Sequence, residues 1–450
     1  MRRSLPPGTA RCAAVWPGLA VATLLAPRVA LAAMDGETQF VLNSFSFLIW
    51  GALVMWMCAG FTMLEAGSVR TRNASVICLK NIGLYAIAGL TFYNIMYVGV
   101  EEGGWFGSLE LFYGTTAADT ALLGGDESAA VAVIDSGSAT MADWFFQMVF
   151  VGSTASIVSG TLAERVKLWS FFLFIAVLTA IIYPTIGAWT WGGGWLGAMG
   201  FKDFAGSTIV HSTGGWAALA GVLVVGARRG KFRADGSARP TPPNNVPGVA
   251  LGVLIIWLGF LGFNGGSQLA LSGAADAIMV SNIIASTNLA AAAGLITALA
   301  LSRPILGRID LLASLNGAIG GLVAITAGPD IVDHYWAVLI GAIGGGVCVV
   351  GMRVLERLRI DDEVGAIPAH MGAGVWGTLA ACIAAGGNLF VQLTGVVTIG
   401  VFVFGSSFLV WRLIDRTFGA RVPQQVEESG QDRDQLGIEA FPEFLPMKED

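Results

Sequence analysis

The chain has 450 residues, of which 55% are hydrophobic and only 12% charged, with 61 glycines and a formal net charge of −6. A soluble domain carries about 25% charged residues, so these figures exclude an ordinary soluble protein and point to a polytopic membrane protein embedded in a lipid bilayer. The net charge itself says little, because its distribution matters more than its sum, and no nucleic acid is expected as a partner.

Residues 1–32 read as a secretory signal peptide. Arg2, Arg3 and Arg11 form a basic start, Ala13 to Ala26 an apolar stretch, and Ala30-Leu31-Ala32 an A-x-A cleavage site. A short first transmembrane helix is the other reading, although Pro17 breaks the stretch. Residues 33–420 are then the transmembrane domain and 421–450 a cytoplasmic tail. Eleven apolar segments follow the signal, at 40–66, 76–100, 141–163, 168–190, 203–226, 246–267, 278–300, 309–327, 334–356, 366–386 and 392–415. Each is near the ~20 residues that cross a hydrocarbon core. A helix satisfies its own backbone where water is absent, so the fold class is all-α, with 11 transmembrane helices. Cys58, Cys78, Cys348 and Cys382 form no C-x-x-C pair and read as packing residues. No metal site or cofactor is expected, and an enzyme reading is weak: two histidines without a further ligand make no metal centre.

Charge orients the spans. Past the signal there are 21 lysines and arginines, and 20 of them fall on one side. They include Arg70, Arg72 and Lys80 after span 1, Arg165 and Lys167 after span 3, and Arg228, Arg229, Lys231, Arg233 and Arg239 after span 5. Only Lys202 lies opposite. By the positive-inside rule the N-terminus is out and the C-terminus in, and cleavage of the signal suits the bacterial cytoplasmic (inner) membrane. The outer stretch 101–140 holds seven acids and no base. It reads as a solvated loop, or as a surface that attracts cations.

Of three histidines, two occupy matched places. His211 lies eight residues after Asp203, and His370 eight after Asp362. Each has a glycine four residues on, Gly215 and Gly374, and a tryptophan soon after, Trp216 and Trp376. These histidines fall on spans 5 and 10, which run in opposite directions. That is the pattern of an inverted repeat of spans 1–5 against 6–10, with span 11 outside it. Eight residues of helix carry each imidazole about 12 Å into the membrane, where ionisable groups are functional candidates by default. One such histidine reads as a core residue bonded to a local carbonyl; two at matched depth read as a pair.

Further motifs join them: Phe146-Gln147 with Phe150, Gly160-Thr161-Leu162-Ala163-Glu164-Arg165, Trp191-Gly192-Gly193-Gly194, Asp203-Phe204-Ala205-Gly206, Gly262-Phe263-Asn264-Gly265-Gly266-Ser267, and Asp361-Asp362 before His370. Over about residues 40–425 the sequence resembles the ammonium transporter (Amt/MEP/Rh) family, bacterial Amt type. The resemblance implies eleven helices per subunit in a homotrimer, with one pore in each subunit. It implies that Trp191, Ser267 and Phe150 recruit ammonium at the outer mouth, with Asp203 near that site. Phe150 and Phe263 then gate the pore, and His211 and His370 line a hydrophobic conduit for ammonia. A cytoplasmic PII-type signal protein is an implied partner. Three positions depart from the family pattern: Glu363 where proline is usual, Met371 where glycine is common, and a tail with Gly437-Ile438-Glu439 in place of His-Gly-Glu.

The chemistry suits the residues. Ammonium resembles potassium in size and charge but has hydrogen-bond donors and a removable proton. A tryptophan face attracts a cation, a serine oxygen accepts an N–H bond, and a dry apolar path admits ammonia far more readily than a bare ion. Taken singly, Trp191 reads as an interfacial belt residue, the phenylalanines as packing, and Asp203 as a helix N-cap. Two other functions remain open: an ammonium sensor of the same fold, and a channel for another small neutral molecule such as carbon dioxide or water. About 35 residues follow span 11, too few for a fused kinase domain.

Overall fold

A computed structural model describes residues 34–98, 108–111 and 113–442. The signal-peptide reading of residues 1–32 lies outside them. Eleven apolar helices form the body: α1 Gly36–Ser68, α2 Ala74–Asn94, α3 Thr140–Thr161, α4 Leu168–Trp189, α5 Ser207–Val225, α6 Val246–Gly266, α7 Ala274–Leu306, α8 Leu311–Ile325, α9 His334–Arg357, α10 Ile367–Ala384 and α11 Leu389–Thr417. Among the described residues ten helices are long and apolar enough to cross a membrane; α8, on the expected eighth span, has only 15 residues.

The stretch expected as a loop at 101–140 is partly ordered. An antiparallel ribbon pairs β1 Ile95–Val98 with β2 Ser108–Leu111, Ile95 opposite Leu111. It lies between spans that are helical as expected, and helix α2 ends at Asn94 where the sequence put the end of span 2 at residue 100. A short helix, Ala117–Leu123, follows, capped reciprocally by Thr116 and Asp119.

The two halves meet through equivalent elements. α1 packs along α6, and α5 along the first turns of α10. The start of α5 sits beside the end of α8, where the Phe204 and Ala205 N–H groups donate to the carbonyls of Ala327 and Thr326. Its far end meets the start of α10, where Arg228 binds Asp361. The histidine helices are therefore antiparallel, as the inverted repeat requires.

The paired glycines explain how closely these helices meet. Side chains four apart share a helix face, so Gly215 and Gly374 lie one turn beyond His211 and His370 on the facing sides. A Cβ at Gly215 would strike the Met371 backbone, and one at Gly374 would strike the Ser207 carbonyl. The family departure at Met371 is accommodated in this way, against a glycine on the neighbouring helix.

The tail docks despite its altered motif. The Asp432 carboxylate accepts from the Ser75 and Val76 N–H groups at 3.0 and 2.8 Å and so caps α2. Gln431 N–H donates to Asn73, and Arg421 pairs with buried Glu427.

Candidate functional site

Both histidines sit in wide, π-helical turns, Ser207–Ser212 and Ile367–Gly372. The His211 N–H reaches back five residues to the Gly206 carbonyl at 3.0 Å. Such turns recur at functional sites because they re-aim one side chain. Each aspartate of the Asp-x7-His pattern organises the start of its helix. Asp203 Oδ1 accepts from the Gly206 and Ser207 N–H groups, and its Oδ2 from those of Thr208 and Ile209, at 2.7–3.1 Å. Asp362 does the same for Ile367 N–H at 2.7 Å. The helices begin four and five residues after the aspartates, so the expectation of unbroken helix from aspartate to histidine is corrected.

Four backbone donors thus fill the lone-pair directions of the Asp203 carboxylate. Its main-chain carbonyl also accepts from Trp191 Nε1 at 2.8 Å, which fixes the indole.

The expected aromatic residues and the two histidines come together in one column. Trp191 meets Phe150 edge-on at 6.3 Å, and Phe150 stacks on Phe263 at 3.9 Å between ring centroids. Phe263 contacts His211 at 5.1 Å, and His211 stacks against His370 at 5.4 Å. Phe150, Phe263, His211 and His370 are all buried, while Trp191 and Ser267 are partly exposed at the Trp191 end. Ser267 Oγ donates to the Phe263 carbonyl at 2.8 Å. Its proton is thereby occupied and its lone pairs remain, so toward a ligand this hydroxyl is an acceptor.

The Nδ1 atoms of His211 and His370 lie 3.3 Å apart. One ring must donate and the other accept. With neutral rings, the pair as a unit then presents one accepting Nε2 and one donating Nε2–H at its two ends. A proton that arrives at the accepting Nε2 is matched by passage of the Nδ1 proton to the other ring and loss of that ring's Nε2–H, which leaves both rings neutral with the two ends exchanged, so the pair can both line a path for ammonia and pass a proton along it.

Several residues here escaped sequence reading. Phe260 also stacks on His211, at 5.0 Å, and Phe61 lies 6.2 Å from His370. Their signal was only spacing, since Phe260 falls one turn before Phe263 on α6. Lys80 was counted among the basic flanking charges, yet it is buried, with Nζ donating to the Ser159 carbonyl at 2.8 Å.

A second cluster closes the basic end. Arg228 makes a two-point bond to Asp361 at 2.8 Å and pairs with Glu363 and Glu164. Arg70 clamps Glu164 from the turn after α1. Arg228, among carboxylates, holds the Asp361 carboxyl far below its usual range against burial, which alone would raise it. Burial pushes the Glu363 carboxyl up to about 7 despite Arg228, with Glu164 and Asp361 adding to the rise. The family departure at Glu363 thus places a third carboxylate on one guanidinium.

An antiparallel helix pair that buries two bonded imidazoles beneath stacked phenylalanines, inside an apolar bundle, defines a multi-pass membrane transport protein. The model of the Ammonium Transporter Family matches residues 45–441, and the chain belongs to that family. It is 37% identical over 429 residues to the ammonium transporter Amt2 of Archaeoglobus fulgidus, covering 88% of each chain. It is 36% identical over 408 residues to a putative ammonium transporter of Synechocystis, again covering 88% of each. Among solved structures it resembles a sensor Amt protein with a TM-score of 0.80 and 32% identity, covering 89% of this chain and 100% of that one. The fold is also that of Mep2 from Saccharomyces cerevisiae, with a TM-score of 0.73.

Proposed function

We propose that this protein carries ammonium across the cytoplasmic membrane of a bacterium as a homotrimer of eleven-helix subunits, with the N-terminus out, the C-terminus in and the basic face inside. Ammonium is recruited between Trp191, Phe150 and Ser267, loses its proton, and passes as ammonia between Phe150 and Phe263 to the histidine pair. The observation that carries this reading is the continuous column from Trp191 through Phe150, Phe263 and His211 to His370. A stacked, buried pair of phenylalanines leaves no polar partner for a naked ion, and the desolvation of a charge in such a medium is prohibitive. Deprotonation removes that cost. The indole face and the Ser267 lone pairs supply what ammonium, as a donor-bearing cation, needs before it gives up the proton.

The test is ammonium-evoked current in proteoliposomes. Wild-type protein should give a saturable current absent from protein-free vesicles. Trp191→Leu should raise the ammonium concentration for half-maximal current by about tenfold or more, the scale of a lost, desolvated cation–π contact. An unchanged half-saturation in that variant would remove Trp191 from recruitment.

Orientation has its own check. Ser237 and Ser128 are both exposed, one in the basic connection after α5 and one in the acidic segment before α3. Cysteines placed singly there should be labelled by an impermeant maleimide from opposite sides. Labelling of both from outside intact cells would sink the topology.

A second reading is favoured by the likeness to a sensor Amt protein. A sensor would bind ammonium, with a shift in thermal stability, and pass no current; the same proteoliposomes separate the two.

A further inference from the structure

Glu65 lies on α1, four residues after Phe61, and is fully buried. Its Oε2 accepts from Ser159 Oγ at 2.6 Å, and Lys80 Nζ stands 3.7 Å away. The Asn81 side chain also stands at hydrogen-bonding range of the carboxylate, and among the described residues Glu65 Oε1 and Asn81 Oδ1 complete no hydrogen bond. Recruitment, gate and histidine pair make no use of this carboxylate. An acid so placed in an apolar bundle is expensive and is a functional candidate by default.

Glu65 and His370 line one small cavity together with Phe61, Ser156 and Asn316. Its volume is about 10 Å³, roughly the minimum that admits one water-sized molecule, which is also the size of ammonia. Phe61 touches the His370 ring from the same face of α1 that carries Glu65. The cavity therefore continues the aromatic column from the histidine pair toward the basic end of the molecule. The Nδ1–Nδ1 bond between the histidines leaves the His370 Nε2 free of that bond.

We propose that Glu65 is the inner proton-exchanging group of the conduit, taking the proton passed along the histidine pair and returning it to ammonia as ammonia leaves. The proposal rests on the conduction reading above. In the first step the proton shed by ammonium bonds to His211 Nε2, the Nδ1 proton passes from His211 to His370, the Nε2–H bond of His370 breaks and an O–H bond forms at Glu65 Oε1, which leaves both rings neutral and turns carboxylate into carboxylic acid. In the second that O–H bond breaks, an N–H bond forms on ammonia, and ammonium departs with the carboxylate restored. No electrons change hands. The Lys80 ammonium offsets the carboxylate charge between cycles, and Ser159 holds the other oxygen so that Oε1 stays available. Glu65 is faced by Lys80 and Asn81 from α2, Ser156 and Ser159 from α3, Asn316 from α8 and His370 from α10, with Cys58 on its own helix and Arg165 beyond Lys80.

The experiment compares full-length wild type, Glu65→Gln, Glu65→Asp and Glu65→Gln/Lys80→Met in proteoliposomes, with currents normalised to folded trimer and the internal pH varied. The double variant removes both buried charges together, so it keeps a folded reference if the single change leaves Lys80 stranded. Glu65→Gln and the double variant should lose roughly tenfold or more of the current, the low end of what a positioned proton-transfer group contributes. Both should also lose an internal-pH dependence that wild type shows. Glu65→Asp keeps the titratable group and should recover part of the current with the pH dependence intact. Wild-type current in the double variant, or a reduced current with an unchanged internal-pH profile, would make Glu65 a structural ion-pair partner and overturn the proposal alone. Absence of ammonium current from wild type would overturn the conduction reading, and this proposal with it.

Discussion

Replacing His211 or His370 by alanine is expected to leave a folded protein whose ammonium current falls by about a hundredfold, the scale on which a positioned proton-handling group contributes. The two rings are buried and bonded to each other through Nδ1, and His211 Nε2 has no hydrogen-bond partner among the described residues. Removing one ring strips polar lining from an apolar path and strands the Nδ1 of the other. That stranded group costs about 1–3 kcal/mol of stability, enough to lower a melting temperature but not to unfold a protein of this size. The double variant removes both polar groups at once. It should be no less stable than either single variant and carry no more current, because the two rings act as one unit. If the histidines were packing residues, stability would fall while transport per folded molecule stayed constant. Wild-type currents from both single variants would remove the conduit from the reading.

The Asp-x7-His repeat was legible because it joins two independent signals: charge placement that makes the two helices antiparallel, and matched distances that bring the imidazoles to one depth. The structure bonds those imidazoles directly. The glycines four residues beyond them were legible as close-packing residues, and their helical phase explains why they face one another. What the sequence left hidden follows from geometry that periodicity cannot encode. The π turns at Ser207–Ser212 and Ile367–Gly372 leave no trace in an apolar pattern, yet they aim the histidines. The saturation of Asp203 by four N–H groups depends on where the helix starts, which is the least certain part of any boundary. Glu65 and Lys80 stand near the ends of apolar spans, where an acid and a base look like flanking surface charges. Only tertiary packing shows them buried against Ser159. The family resemblance supplied roles for Trp191, Ser267, Phe150 and Phe263, and the structure adds the ring contacts that make one column of Trp191, Phe150 and Phe263.

Arg228→Met is expected to cost about 3–5 kcal/mol, the scale for breaking a buried ion pair by removing one partner. The guanidinium is 3% exposed and pairs with Asp361, Glu363 and Glu164, themselves 0–4% exposed. Its backbone N–H also donates to Asp361 at 2.9 Å. One residue thus ties the end of α5 to the start of α10 and the end of α3, with Arg70 extending the clamp to the turn after α1. Without it three carboxylates face one another in a space that water barely reaches. The melting temperature of the detergent-solubilised protein should fall sharply. Glu363→Gln is the contrast. Burial raises the Glu363 carboxyl from an ordinary 4.5 to about 7, so its folded form holds a proton more tightly than its unfolded form does. The stability this lends is present below the ordinary value and is lost as pH rises through about 7. At alkaline pH Glu363 is ionised beside Asp361 and Glu164, and the glutamine, which carries no charge, should be neutral or stabilising there. Stability measured from pH 5 to 9 should therefore decline through neutrality in wild type and lose that component of the decline in Glu363→Gln. An Arg228→Met protein as stable as wild type across that range would mean the cluster does not hold the two halves together.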